Sequence, residues 1–436
     1  MTPKFAFCAD DFTGATDTLA TLSRAGLSAR LYLRISDAVE AASSGSLDAV
    51  GLATPLRAMA PDDARQMMRD IAPGLALLGA QFVHFKICST FDSSPQIGNI
   101  REVGNILAET LGAEWTVIIG GQPSLGRHCV FGNLFAAAGD GVVHRIDRHP
   151  TMSVHPITPM EEADLRLHLA RQGWEEVGLI DFTAYAAGPA KLRQTIEARL
   201  DRSEKQTLLD VAQDGDLAVI GDALASVGVD RRILLIGASS VAEALFRPSE
   251  NASAPPALPP LKGPVFGFAG SRSVVTAHQV AKASRFNVLA VDPDDILSEN
   301  ARVTDLRDTC QAHLRAGEHV LVRLSERPNA AAGQALAAAT GRFINRVVSD
   351  ARPGCLAIAG GDTSSAAVEC LGIDSISFIA DLDRGVPLVR AHSRNAMDSL
   401  PMILKGGQVG GEGLFDRLAG LSVNTKQPSP DQFSGR

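Results

Sequence analysis

Short apolar runs alternate with longer amphipathic stretches along almost the whole chain. The runs predict strands at 4–8, 29–34, 48–53, 81–86, 115–120, 177–181, 216–220 and 232–236, then at 265–269, 287–291, 319–323, 355–359, 376–379 and 401–404. Between them, apolar residues return every three or four positions. That spacing predicts helices near 14–26, 61–79, 97–111, 159–172, 188–202 and 239–246, then near 273–285, 294–317, 329–351, 364–371 and 411–420. Alternation of this kind predicts an α/β fold of mostly parallel sheets flanked by helices. One stretch breaks it: the segment from Arg247 to Pro260 is proline-rich, polar and without period, as linkers are. The expected organisation is a first domain over 1–246, a linker over 247–262, a second domain over 263–421 and a disordered tail over 422–436.

Size agrees with two domains, since 436 residues exceed what one core organises. A net charge of −8 leaves no basic footprint for nucleic acid or an anionic membrane. Two Trp and two Tyr leave little surface for stacking bases. No apolar run approaches the ~20 residues of a membrane span, and Lys4-Phe-Ala-Phe-Cys8 opens a strand with no leader-like region before it. Cys8, Cys88, Cys129, Cys310, Cys355 and Cys370 form no CxxC pair, which points to a reducing cytoplasm and no zinc site. A homodimer is compatible with the surface composition, and nothing requires it.

The candidate chemistry lies at strand ends. Leu356-Ala-Ile-Ala-Gly-Gly-Asp-Thr-Ser364 reads as a buried strand, two glycines and a helix opening with Asp362 and Thr363. Glycine lets a backbone come close to a ligand, and a helix N-terminus offers free N–H groups and a positive dipole end. Val265-Phe-Gly-Phe-Ala-Gly-Ser-Arg-Ser273 repeats the design with Ser271 and Ser273, and Met402-Ile-Leu-Lys-Gly-Gly-Gln408 ends a strand on Lys405 before Gly407. Parallel neighbours would align these ends along one sheet edge, where open α/β folds bind ligands. A phosphate chain suits them; a capped strand-to-helix turn is the plainer alternative. GxxxxGK[ST] is absent, so the site is not a P-loop.

The first domain offers different groups. Asp10 and Asp11 are adjacent carboxylates where the first strand meets the first helix; one cap needs only one acid. Joint ionisation needs a cation, donors or substrate hydroxyls close by. Lys86 ends a strand and is followed by Ser89, Thr90 and Asp92, and Arg57 follows another strand. Lysine and arginine suit a carboxylate, although Lys86 could equally reach solvent. His144, His149 and His155 are spaced five and six apart, which reads as loop histidines rather than a metal set.

Ala9-Asp-Asp-Phe-Thr-Gly-Ala-Thr-Asp17, Lys86-Ile-Cys-Ser-Thr-Phe-Asp92, Gly270-Ser-Arg-Ser273, Gly360-Gly-Asp-Thr-Ser364 and Leu404-Lys-Gly-Gly-Gln-Val-Gly-Gly411 together resemble the four-carbon acid sugar kinases, in order along nearly the whole chain. With His155-Pro-Ile-Thr-Pro-Met160 they sit closest to the branch acting on 3-oxo-tetronate or a branched relative such as 3-oxo-isoapionate. The resemblance implies an acid-sugar-binding domain, a nucleotide-binding domain and an active site in the cleft between them. It implies ATP with Mg²⁺ phosphorylating a terminal hydroxyl of a short sugar acid. Ser271, Ser273, Gly360, Gly361, Asp362, Thr363 and Gly407 would face ATP. Asp10, Asp11, Arg57, Lys86, Ser89 and Thr90 would face the acid, with Asp11 or Asp10 orienting or deprotonating the hydroxyl. Where the family has Gly-Gly-Glu-Thr-Ser-Gly this chain has Gly-Gly-Asp-Thr-Ser-Ser, and Lys-Ser-Gly-Asn-Phe-Gly becomes Lys-Gly-Gly-Gln-Val-Gly. Two other readings are a non-catalytic sensor of acid and nucleotide, and an NAD-dependent dehydrogenase. The second lacks an intact GxGxxG after a strand.

Overall fold

The structure, a computed structural model, describes residues 2–247, 256–325 and 333–423. The middle of the expected linker, the start of the helix expected at 329–351 and most of the expected tail lie outside the described residues. The chain gathers into two units, Met1–Ala254 with Asp374–Phe378, and Pro255–Ile373 with Ile379–Arg436.

The first unit holds β1 (Phe5–Ala9), β2 (Ala29–Tyr32), β3 (Ala49–Ala53), β4 (Phe82–Lys86), β5 (Trp115–Ile119), β6 (Arg127–Val130), β7 (Asn133–Ala137), β8 (Val143–Arg145), β9 (Gly178–Ile180), β10 (Gln206–Leu209) and β11 (Ile233–Gly237). The order β2-β3-β1-β4-β11-β5-β10-β9 is parallel throughout. In β1, β3, β4, β5 and β11 every residue is buried, because helices cover both faces. That is why these strands read as continuous apolar runs. From β1 the chain moves to one side of the sheet and from β4 to the other, while β1 and β4 are neighbours. A crevice opens at such a switch point, and Asp10 and Lys86 stand there.

The strand expected at 216–220 is instead part of a helix, Asp214–Val227. Four apolar residues read alike in either state. A capping box, Gln213 with Asp216, starts this helix. The strand of that region is β10, which alternation did not predict. The stretch 127–145 also holds an unpredicted antiparallel sheet, β6-β7-β8, and the helix expected at 159–172 shrinks to Leu165–Arg171.

The second unit holds β12 (Leu261–Lys262), β13 (Val265–Ala269), β14 (Phe286–Val291), β15 (His319–Leu324), β16 (Cys355–Ala359), β17 (Ser375–Asp383), β18 (Val386–His392), β19 (Pro401–Lys405) and β20 (Ser422–Val423). β14-β15-β13-β16-β19 is parallel, and β18 joins β19 antiparallel. The strand expected at 376–379 is the longer β17. Its first residues, Ser375 and Ile376, belong to the first unit and pair there with Tyr32 and Leu31, while the strand from Ile379 onward belongs to the second. The helix expected at 294–317 breaks in two. Glu299 is left-handed (φ 47°) and Asn300 caps the second piece. Leu261 and Lys262, expected in the linker, pair with Ser422 and Val423, expected in the tail. A switch point recurs here: β13 leads to one side, β16 to the other, and the two are adjacent.

Candidate functional site

The switch point of the first unit gathers four charges. Asp10 follows β1, and its carboxylate receives Arg57 Nε at 3.0 Å and Nη2 at 2.6 Å. The same Nη2 donates to Asp11 Oδ1 at 2.6 Å, and Lys86 Nζ lies 4.0 Å from that oxygen. Asp11 is also the N-cap of the helix Phe12–Arg24. It accepts the Gly14 N–H at 3.0 Å and the Thr13 hydroxyl at 2.5 Å. Backbone bonds fix the frame: Asp10 N donates to Lys86 O and Arg57 N to Asp10 O. Two glycines make room. A Cβ on Gly14 would fall 2.0 Å from Lys86 Nζ, and one on Gly98, at φ +65°, would fall 2.7 Å from Arg57 O.

Burial decides how these groups titrate. Burial pushes Asp10 up from the ordinary carboxylate value against the pull of Arg57. It pushes Asp11 up too, but Arg57 and Lys86 outweigh it and hold Asp11 below that value. Burial works against the Arg57 charge, yet the two carboxylates raise it well above its ordinary value. Asp11 is therefore an ionised acceptor and a weak base. Arg57, expected to grip substrate, has Nε and Nη2 committed to Asp10 and Asp11.

Ser89 and Thr90 follow in a tight turn, where Phe91 is buried at a left-handed φ of 54°. A bulky residue in that region is strained and is held by its surroundings. Here Ser93 donates to Phe91 O at 2.8 Å, and its hydroxyl also meets His168 and Gln172. Thr90 Oγ1 lies 3.0 Å from Cys88 Sγ. Of the three histidines, His144 and His149 stack edge-on, while His155 lies 3.9 Å from Asp92 and 3.0 Å from the Thr158 hydroxyl. Among the described residues no cluster of three His, Cys, Asp or Glu is placed to hold a metal.

The second unit's strand ends carry different groups. Gly270 and Ser271 follow β13, Gly360 follows β16 and Gly407 follows β19. Gly270 N and Ser271 N both donate to Ala359 O, and Gly360 N donates to Lys405 O. A Cβ on Gly270 would meet Thr363 Oγ1 at 2.2 Å, and one on Gly407 would meet Ser271 Oγ at 2.1 Å. The helix expected at 364–371 starts earlier, at Gly361, and has no side-chain cap. Its first intrahelical bond comes from Ser364 N, so the N–H groups of Gly361, Asp362 and Thr363 have no intrahelical acceptor. Ser273 is an N-cap: its hydroxyl accepts Thr276 N and donates to Gly407 O. Sequence reasoning passed over Thr276, which also donates to Gly407 O, and Gln279, whose amide holds three carbonyls from Val409 to Gly411. Their three-residue spacing on one helix face was the available signal.

Residues 5–245 match a sugar-binding N-terminal domain, and residues 266–415 match a nucleotide-binding C-terminal domain. The chain belongs to the four-carbon acid sugar kinase family. Each family domain thus contains one of the two strand-end sites. Similar proteins are a 3-oxo-isoapionate kinase of Paraburkholderia graminis, 33% identical over 95% of each chain, and a 3-oxo-tetronate kinase of Burkholderia multivorans, 32% identical over 95% of this chain and 96% of the other. A 3-oxo-tetronate kinase of Methylobacterium radiotolerans is 31% identical over 94% and 97%. Solved structures from Salmonella typhimurium LT2 and Haemophilus influenzae share the family fold, with TM-scores of 0.77 and 0.71 at 24% identity over 95% of this chain.

Proposed function

We propose that this chain, an ATP-dependent sugar-acid kinase, phosphorylates a terminal hydroxyl of a four-carbon or branched 3-oxo sugar acid. The observation that carries the reading is the gathering of Asp10, Asp11, Arg57 and Lys86 at one switch point of the sugar-binding domain. Arg57 pairs with both carboxylates, and Lys86, 4.0 Å from Asp11, is the cation with donors to spare for the substrate's carboxylate or oxo group. Asp11 accepts the attacking hydroxyl's hydrogen bond and orients it. With its titration held low it leaves the proton in place until late, which suits a transfer that needs positioning and charge stabilisation more than base strength. Ser89 and Thr90 supply hydroxyls to a polyol chain.

In the other domain, the N–H groups of Gly361, Asp362 and Thr363 and the Ser271 hydroxyl face the ATP phosphates, with Gly360 and Gly407 keeping the backbone close. Mg²⁺ is bound by phosphates together with one or two carboxylates. Asp362 is exposed on the first turn of its helix, so it is assigned that place. When bound, the metal neutralises charge that develops on the phosphates. Transfer needs nucleotide and acid to meet in line with water kept out. No described helix is long and apolar enough to cross a membrane. Six cysteines without CxxC spacing support a reducing, cytoplasmic setting.

The test is ADP release with Mg-ATP across tetronates, 3-oxo-tetronates and branched 3-oxo acids. Turnover on a 3-oxo acid is the expected result. Turnover confined to acids without the oxo group would move the substrate class, and silence on every acid would overturn the reading.

A further inference from the structure

Lys405 ends β19 and is 1% exposed. Its ammonium carries three donors, one of which reaches the Thr276 hydroxyl at 3.3 Å. Among the described residues no carboxylate comes within ion-pairing distance of it, whereas Lys86 has Asp11 at 4.0 Å. Thr276 lies in the first turn of the helix Val274–Ala281, capped by Ser273. The positive end of that helix dipole therefore faces a buried cation. Beside it, the helix Gly361–Cys370 presents a second N-terminus, this one without a side-chain cap. All three contributions have the same sign. Burying a charge without an ionic partner is costly, so a conformation that keeps this one implies a negative charge arriving from outside the chain.

We propose that Lys405 supplies the charge that holds a phosphate group of the nucleotide over the loop Gly406-Gly407. The inference rests on the nucleotide reading above and adds a residue to it. Lys405 lies beneath the loop rather than at its surface; at low local dielectric its field still reaches a phosphate a few ångströms away. Burial, with no charged neighbour acting beside it, brings the lysine down from 10.5 to about 8. An arriving phosphate would bring it back up. In the window between those values, ATP binding then takes up a proton.

The experiment is calorimetric titration of the full chain with Mg-ATP at about pH 8.5, in two buffers of different ionisation enthalpy, for the natural protein and Lys405→Met. The natural protein is expected to take up protons on binding. The variant should bind about tenfold to hundredfold more weakly, with that proton uptake gone. Its melting temperature without ATP should rise, because a buried charge has been removed. A merely structural lysine would lower it and leave proton uptake unchanged. If Lys405→Met does not fold, Lys405→Gln takes its place. Equal affinity and equal proton uptake in variant and natural protein would overturn the role of Lys405 alone. No ATP binding by the natural protein would overturn the nucleotide site itself, and this inference with it.

Discussion

The two units place their candidate groups at the same topological point and load it in opposite ways. Where β1 and β4 diverge, two carboxylates and two cations lie within ion-pairing distance and compensate one another. Where β13 and β16 diverge there are glycines, hydroxyls, uncapped N–H groups and one lysine with no carboxylate beside it among the described residues. The first arrangement is compensated without a ligand and suits a substrate of many hydroxyls and a single carboxylate, which adds hydrogen bonds and only one charge. On the reading proposed above, the second is an anion receptor whose counter-charge comes with the ligand. Shared topology tells where to look. The side chains tell what is bound.

That contrast is broken most directly by removing one cation from each site. Arg57→Met would leave Asp10 and Asp11 buried and adjacent with only Lys86 for compensation. Breaking a buried pair in this way costs about 3–5 kcal/mol, read as a lower denaturant midpoint, and activity should be lost with it. Lys405→Met should move stability upward. If both variants destabilised equally, the two lysine and arginine sites would be electrically alike and the comparison would fail.

Asp11→Asn sharpens the first half. Asparagine caps a helix about as well as aspartate, so the helix Phe12–Arg24 should persist. The lost charge should lower kcat about hundredfold through misplaced reactants. The sign of the pH effect follows from the lowered titration of Asp11. Its stabilising contribution is complete above the ordinary 3.8 and is lost as pH falls through its lower folded value. The stability gap between natural protein and variant should stay flat from neutrality to about pH 5 and close only in stronger acid. A gap that closes near neutral pH would mean that Asp11 is not held down by Arg57 and Lys86.

The strands that carry the sites were legible because they are buried on both faces and so read as unbroken apolar runs. The same rule misread 216–220, where a buried helix carries an equally unbroken run, and missed β10, whose first residue, Gln206, is only partly buried. Asp10-Asp11 and Lys86 were visible as charges at strand ends. That Arg57 binds both acids was not, because the bond joins loops 46 and 47 residues apart. Ser273 was read as a nucleotide contact from its company, whereas its hydroxyl is occupied by Thr276 and Gly407. The isolation of Lys405 is the lack of a carboxylate near it in space among the described residues, and no local pattern of residues records that.

Crowding each site by one methyl should divide the two substrates. Gly14→Ala brings a Cβ to within 2.0 Å of Lys86 Nζ, and Gly407→Ala brings one to within 2.1 Å of Ser271 Oγ. Gly14 lies inside a helix, where alanine is favoured by about 1 kcal/mol; this offsets part of the strain as Lys86 and the Asp11 carboxylate, 2.4 Å from the same Cβ, are displaced. We expect Gly14→Ala to raise KM for the acid about tenfold and leave KM for ATP alone, and Gly407→Ala to do the reverse. Steady-state kinetics with each substrate varied in turn would read this. Crossed effects would mean that the two sites do not divide acid from nucleotide.

The smallest effect separates two serines that look equivalent along the chain. Ser273 caps the helix Val274–Ala281 and holds Gly407 O, but Thr276 donates to the same carbonyl at 2.9 Å. Ser273→Ala should therefore cost about 1 kcal/mol of stability, the ordinary loss of a cap, and raise KM for ATP only about threefold because the loop keeps its second tether. Ser271 accepts one backbone N–H at 3.2 Å and caps nothing. Its hydroxyl proton is available to a phosphate, so Ser271→Ala should leave the melting temperature unchanged and raise KM for ATP more than Ser273→Ala does. Melting curves and ATP saturation for the two variants decide it. If Ser273→Ala proved the more damaging to ATP binding and the less damaging to stability, the cap would be the phosphate contact and the assignment of the two residues would be reversed.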